Sequence, residues 1–415
     1  MASFVLCINN TMEVKVSLNK TAPRPHIDLT DLIERSNGHS RSELVRLIEE
    51  RQERVVQELC GPRYSRSHPY RRGSSYTKTL VTGIGTIRFK VKRVISKIDN
   101  SVSSPILEAL DVKRRKYSRD VRMKLAEFAS KMTYQDASLE FETATGVHVP
   151  KRTILSFVQE IAPPLLEANK MTIELGIVMG DTTKVRAQSN GEMNEVHVLL
   201  SDGGQLLHLG VNSEWPSSEA GVLVSDNEPG LTNAVNAERR QLCILHALKY
   251  LLFTLWGEGM GRDDRVEVEK AVKQTLFTLV YSTKKHLKDG DKEQLKARID
   301  ATLRELYEIA DGLEERGHTR ASVFIIKNAR FMVTFAELAL EDLEIPYTTN
   351  RIERLMGEVS KRCKHKWMHW STNGLRDILT IILVRYTDRR LYHGFKKAYI
   401  HNRPFIKQTQ HKAIL

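Results

Sequence analysis

Leu175-Gly176-Ile177-Val178-Met179-Gly180-Asp181 is an apolar run closed by a carboxylate, and Val222-Leu223-Val224-Ser225-Asp226 repeats the pattern further along the chain. Short apolar runs bounded by turn residues read as buried strands. Working outward from them, Leu175–Met179, Glu195–Leu200 and Gln205–Val211 are predicted as three consecutive strands, with Gly203-Gly204 as the hairpin turn between the second and third. Val222–Ser225 is predicted as a fourth strand, with Pro229-Gly230-Leu231 opening a helix after it, and the apolar run Gln241–His246 supplies a fifth.

A carboxylate just past the end of a buried strand stands at the rim of a sheet, within reach of solvent and metal. Asp181 and Asp226 fit that position, and Glu353 lies in Thr348-Thr349-Asn350-Arg351-Ile352-Glu353-Arg354, which opens a long helical pattern. Three convergent acids suit hard Mg²⁺, with Mn²⁺ accepted by the same oxygens. Two such ions can clamp both oxygens of an in-line phosphoryl displacement. Asn350 precedes Glu353 by one helical turn, and Gly357 and Lys361 follow on the same face, so Asn350 and Lys361 are read as support for the acid. Cys243 and His246 form a Cys-x-x-His pair on or just after the fifth strand, also read as active-site support. A zinc site there would need further ligands, of which Cys363, His365 and His369 are the candidates.

The chain has 415 residues and a formal charge of +13, with the excess concentrated. Gly61 to Ile98 holds ten Lys or Arg and no acid, and Arg389 to Leu415 holds seven against none. Clustered cations are the footprint of a nucleic-acid binder. Residues 1–38 read as loosely structured, after which Ser40-Arg41-Ser42-Glu43 looks like a capping box opening a helix that Gly61-Pro62 stops. A strand pair follows, with its turn at Gly83-Ile84-Gly85 and Ile87, Phe89 and Val91 alternating with cations. Arg71, Arg72, Arg88, Lys90 and Lys92 are its DNA-contact candidates. Residues 118–161 then give three short helices, the last beginning at Lys151 after Gly146 and Pro150. This is a helix-turn-helix pattern in which Lys151, Arg152, Thr153 and Ser156 face the major groove or its phosphates.

From Arg262 to Glu344 the pattern is helical, with breaks at Lys288–Asp291 and Glu315–His318. Ile345-Pro346-Tyr347 closes it. The four cysteines, Cys7, Cys60, Cys243 and Cys363, have no paired spacing, as expected of a reduced chain. Neither a signal peptide nor a membrane span is expected, which places the protein in the cytoplasm with the nucleoid.

Three antiparallel strands followed by strand–helix–strand, with acids on the first strand and after the fourth, is the order of a ribonuclease-H-like core. In its ordered features the chain resembles the DDE transposases of the Mutator-like superfamily. Those features are the Gly83-x-Gly85 basic ribbon, Thr153-Ile154 of the helix-turn-helix, Asp181-Thr182-Thr183, Asp226, Cys243-x-x-His246, the helical insertion, Asn350-x-x-Glu353 and Trp370–Leu375. Asn227 departs from the glycine common in that family. The resemblance implies an α/β RNase H-like core with a mixed five-stranded sheet, interrupted by an all-α insertion and preceded by a basic strand pair and a helix-turn-helix DNA-binding region. It divides the chain into 1–98, 99–168, 169–256, an insertion at 257–345, and 346–415. It further implies metal-dependent cleavage of element ends and strand transfer by Asp181, Asp226 and Glu353 holding two ions. The implied partners are double-stranded DNA and a second copy of the chain, with no nucleotide cofactor. A domesticated DNA-binding regulator, and a nuclease that cuts without joining, remain alternatives.

Overall fold

The structure, a computed structural model, describes residues 2–8, 12–18, 29–62, 67–170, 176–189, 191–226, 228–365 and 368–405, with side chains from residue 37 onward except that of Leu287. The chain divides into two compact units, Met1–Phe157 with Lys396–Pro404, and Val158–Phe395 with Phe405–Leu415.

In the first unit, β1 (Ala2–Ile8) and β2 (Met12–Leu18) pair antiparallel, in a segment whose sequence reads as loose. Helix α1 (Leu29–Cys60) runs through the expected start at Ser40. The Ser42 hydroxyl donates to the Gly38 carbonyl at 3.1 Å, a bond back to the preceding turn, so this segment is helix interior and not a cap. Beyond it, β3 (Tyr70–Thr82), β4 (Gly85–Ser96) and β5 (Val102–Ser103) form an antiparallel sheet. The β3–β4 turn is tight: the Thr82 hydroxyl donates to the Gly85 carbonyl at 2.8 Å, and Gly85 has φ +109°, where a side chain would be strained. Alternation then decides the packing. Ile87, Phe89 and Val91 are buried against Ile48 of α1 and against Ile106 and Leu107, of which the latter two lie in α2 (Pro105–Ala109).

Helix α1 also covers the open edge of β4. Gln52, buried, donates to the Lys90 carbonyl at 2.8 Å and accepts from the Lys92 amide at 2.8 Å, while Glu49 accepts from the Lys90 amide at 3.1 Å. These side chains stand where a further strand would pair, as a covered edge requires. Next come α3 (Arg119–Ala129), α4 (Tyr134–Thr145) and α5 (Lys151–Asn169). Thr133 caps α4 by accepting from the Asp136 amide at 3.0 Å, and Gly146 ends it with φ +68°. Helix α5 continues through Pro163 and Pro164.

The second unit is built on a mixed five-stranded sheet. Its strands are β6 (Ile177–Arg186), β7 (Met193–Ser201), β8 (Leu206–Val211), β9 (Ser218–Ser225) and β10 (Val235–Leu242), with α6 (Pro229–Ala234) between the last two. The spatial order is β10-β9-β6-β7-β8, antiparallel from β6 to β8 and parallel across β6, β9 and β10. The fifth strand starts and ends earlier than its apolar run suggests, because Asn236 to Arg240 is polar and masks it. Helix α7 (Ile244–Gly257) follows β10, and α8 (Arg262–Asp289), α9 (Lys292–Glu315) and α10 (Thr319–Leu340) form the insertion region before α11 (Asn350–Cys363). Both expected breaks occur, with Gly290 at φ +75° and Gly317 at φ +84°. The chain closes with α12 (Thr372–Thr387) and α13 (Arg389–Ile400).

Strand parity assigns the faces. Met179, Val222, Val224 and Leu242 bury against α7, α8 and α10, and Val178, Leu199 and Leu223 pack with Leu231 and Trp215 on the other side. After α11, Trp370 bridges to Ala187, and its carbonyl accepts from the Asn194 side chain at 2.9 Å, which fastens this segment to β6 and β7. No helix among the described residues is long and apolar enough to cross a membrane.

Gly180 is a packing requirement of this sheet. A Cβ there would stand 2.4 Å from Leu231 Cδ2 and 3.0 Å from Leu199 Cδ2, both in the buried layer. Gly180→Ala is therefore expected to destabilise the protein by about 1–3 kcal/mol, the usual cost of overpacking. A urea unfolding midpoint equal to that of the wild type would contradict this.

Candidate functional site

Asp181 does not stand past the end of its strand: β6 runs on to Arg186, and Asp181 sits opposite Val198 of β7. What ends near Asp181 is the neighbour on its other side. The last β6–β9 pair is Met179 with Val224, so Asp181 and Asp226 each lie two residues beyond it. Side chains two apart on a strand share a face. Asp181 therefore stands on the face carrying Met179, where β6 has lost its parallel partner, and Asp226, in the bend just past β9, is close enough for its charge to act on it. Burial and the like charge of Asp226 push the Asp181 carboxyl up to about 6, with Glu353 adding to the rise. The bond from the Thr182 amide to Asp181 Oδ1 (2.8 Å) and the His246 charge oppose that rise only in part.

Glu353 comes from the first turn of α11, and its closest polar company is not an aspartate. Among the described residues, one group of potential metal-donor side chains has its atoms within 4.8 Å of one another, and it joins Glu353 to Cys243 and His246. Cys243 is the N-cap of α7 and His246 lies in its first turn, so the pair follows β10 directly. Thr349 links all three. Its hydroxyl lies 2.9 Å from Glu353 Oε1, 3.2 Å from His246 Nδ1 and 3.2 Å from Cys243 Sγ, and its amide donates to that sulfur at 3.3 Å. His246 Nδ1 is itself 3.8 Å from Glu353 Oε1.

The charges follow from these contacts. Burial opposes ionisation of Cys243, yet the bonds to His246 and Thr349 together bring its thiol below the usual range. His246 is pushed up to about 9, first by its bond to Cys243, against the effect of burial, with Asp226 and Glu353 adding to it. His246 is thus an imidazolium at neutral pH, and the Cys243 thiol beside it ionises more readily than a free cysteine. A protonated Nδ1 donates to the Thr349 hydroxyl, which leaves that hydroxyl's single proton for Glu353 or the sulfur. Cys363 stands apart as a buried thiol pushed up to about 12 by desolvation, and neither it nor His365 nor His369 joins the Cys243 group.

Thr349, Thr182 and Glu228 are site residues that the sequence reading missed. Thr349 occupies the N-cap of α11, where Thr ordinarily accepts from the helix, but it makes no capping bond and turns inward. Glu228 braces the two aspartates: its amide donates to Asp226 Oδ1 at 3.2 Å, and its Oε2 accepts from the Thr182 hydroxyl at 2.5 Å. Its Oε1 accepts from Trp215 Nε1 at 3.4 Å. The signal lay in Asp226-x-Glu228 and in the threonine doublet before α11. Asn350 is exposed at the start of α11, and Lys361 pairs with Glu358 at 2.6 Å, so Lys361 is tied to its own helix and not to Glu353. Asn227 lies outside the described residues.

The nucleic-acid candidates divide as well. Arg72 pairs with Glu53 at 2.9 Å, and Lys92 binds the same carboxylate. Arg71 reaches Asn100, whereas Arg88 and Lys90 are exposed with no side-chain acid partner among the described residues. Lys151, Arg152 and Ser156 are exposed and Thr153 half-buried on the first turns of α5, where Ile154 is buried beneath them. The Ser156 hydroxyl donates to the Thr153 carbonyl at 2.7 Å.

The donor chemistry fits a hard divalent ion at the aspartates, since a half-buried carboxyl held up by its neighbour's charge is what a cation relieves. No family model matches the chain, and no curated protein sequence matches it.

Two measurements follow. Asp181 keeps its proton to higher pH when folded, about 6 against the usual 3.8, so its contribution to stability is full below about pH 4 and lost as pH rises through about 6. Without divalent ions, Asp181→Asn is expected to be more stable than the wild type near pH 7.5, and to lose that advantage near pH 4, by urea denaturation. Glu228→Ala leaves the Thr182 hydroxyl and Trp215 Nε1 without their acceptor and is expected to cost about 1–3 kcal/mol in the same assay.

Proposed function

We propose that the chain is a metal-dependent DNA-cutting and DNA-joining enzyme, a transposase of the DDE type built on a ribonuclease-H-like core. The observation that carries this reading is the pair Asp181 on β6 and Asp226 just past the end of β9, with the Asp181 carboxyl raised by burial and by its partner. A binding module has no use for such mutual repulsion, whereas a divalent-ion site does. The strand order β10-β9-β6-β7-β8, with one acid on the first strand of the core and one just after the fourth, supports the same fold assignment. The acid-free basic stretch from Gly61 to Ile98 supports DNA as the substrate.

On this reading Asp181, Asp226 and Glu353 hold two Mg²⁺ ions, with Mn²⁺ able to replace them. Bound there, the ions supply Lewis-acid activation of the attacking oxygen and neutralise charge at the scissile phosphate. The residues of the chain supply geometry. Glu228 and Thr182 fix the rotamers of the two aspartates through Asp226 Oδ1 and the Thr182 amide. Thr349 fixes Glu353. His246, charged and next to Glu353, adds a positive group beside the phosphate position. Two DNA ends must be joined to a target, so two copies of the chain act together on DNA.

The test is cleavage of labelled DNA carrying the ends of the element that encodes the chain, with Mg²⁺ present. The wild type is expected to cut and to give strand-transfer products, Asp226→Asn to bind the DNA but leave it intact, and Thr349→Val to cut at least about tenfold more slowly. Specific binding without cutting by the wild type would sink the catalytic reading in favour of a regulator. Cutting without joined product would favour a nuclease.

A further inference from the structure

Helix α7 contains no acidic residue, and α10 contains none before Glu337. Helix α9 differs, with acids from Glu293 to Glu315 outnumbering its Lys and Arg. On the acid-free pair, large rings and chains stay exposed, including Tyr250 at 59%, Phe253 at 60% and Trp256 at 64%. An exposed aromatic row on a soluble helix marks a binding surface.

The row leads from the acid site. His246, Tyr250 and Phe253 are spaced i, i+4 and i+7 and share one face of α7, with Trp256 one turn further on. At about 1.5 Å per residue the row is about 15 Å long. Helix α10 runs back beside it: Arg320 donates to the Gly257 carbonyl at 2.8 Å, and the Phe324 ring lies 4.7 Å from that of Tyr250. Lys249, Lys327 and Arg330 stand exposed on these two helices with no acidic partner among the described residues.

From this arrangement we infer that the face of α7 and α10 binds unpaired DNA strand next to the cleavage site, its bases stacking on Tyr250, Phe253 and Trp256. The inference rests on the proposed catalytic reading for its location, but not for its chemistry. Rings interleaved with free cations match a polymer that is anionic along its backbone and flat and apolar in its bases. Intact duplex keeps its bases stacked internally and cannot use the rings, so the preference is for strand that has lost its partner. A second copy of the chain is the competing occupant, since the acid-rich α9 could complement the cations.

The experiment titrates full-length chain into a short labelled oligothymidylate and into a labelled blunt duplex of the same length, reading anisotropy and tryptophan fluorescence. The wild type is expected to bind the single strand with quenching that Trp256→Phe removes. Tyr250→Ala combined with Phe253→Ala and Trp256→Ala is expected to weaken single-strand binding at least about tenfold and leave duplex binding within about twofold. Because these side chains are exposed, an unchanged melting curve shows that the variant is folded. Unchanged single-strand affinity in the triple variant overturns the inference. So does a triple variant that keeps that affinity but sediments as a smaller species, which would assign the face to self-association. Failure of the catalytic reading is separable: it appears as absent Mg²⁺-dependent cutting in a chain whose ring-dependent strand binding is intact.

Discussion

The parallel pairing of β6 with β9 is the constraint on which the candidate site depends. It holds Met179 against Val224 in the buried face and so brings Asp181 on β6 close to Asp226 just past the end of β9. Close approach of the layers beneath needs a residue without a side chain at 180, because Leu231 of α6 fills the space a Cβ would take. Hydrophobic burial on both faces of the sheet holds the Asp181 carboxylate in a half-buried place beside the exposed Asp226, a place it would not choose alone. The raised Asp181 carboxyl is the local cost, and the rest of the fold sustains it.

Around this repulsion the chain sets counter-charges and braces. The Cys243 sulfur and the His246 imidazolium stand at the N-terminal end of α7, and Thr349 ties both to Glu353 on α11. Elements far apart in sequence thus meet through one hydroxyl. Thr349 gives up its capping bond to do so, and Glu228 turns a short loop into a clamp on the two aspartates. Departures from local preference gather where a structure carries function, because tertiary packing elsewhere offsets them.

Charge is partitioned at a larger scale. In the N-terminal unit, helix α1 neutralises Arg72 and Lys92 through Glu53 while covering the β4 edge with Gln52 and Glu49. The cations left facing outward are fewer than the sequence alone implies, with Arg88 and Lys90 on the ribbon and Lys151 and Arg152 on α5. In the helical region, the acidic excess falls on α9, while α7 and α10 carry exposed rings and cations. On the proposed reading this arrangement keeps phosphate-attracting charge close to the acid site and makes α9 the helix that repels DNA.

By itself the sequence determined the elements whose signals are local. Alternation in Ile87, Phe89 and Val91 marked the ribbon, Thr133 and Gly146 bounded α4, and Gly290 and Gly317 divided the insertion, because period, caps and positive φ act within a few residues. It also marked Asp226 and Glu353 as acids at element ends, whereas Asp181 lies within β6. The polar β10, the passage of α1 through Ser40 and the extension of β6 past Asp181 escaped it, since pairing with neighbours overrides local preference. Only the tertiary structure decided which cations stay free, that Lys361 pairs with Glu358, and that Thr349 and Glu228 belong to the site. Those outcomes depend on distances between residues up to a hundred or more positions apart, such as the 3.2 Å from Thr349 to Cys243, which no local pattern encodes.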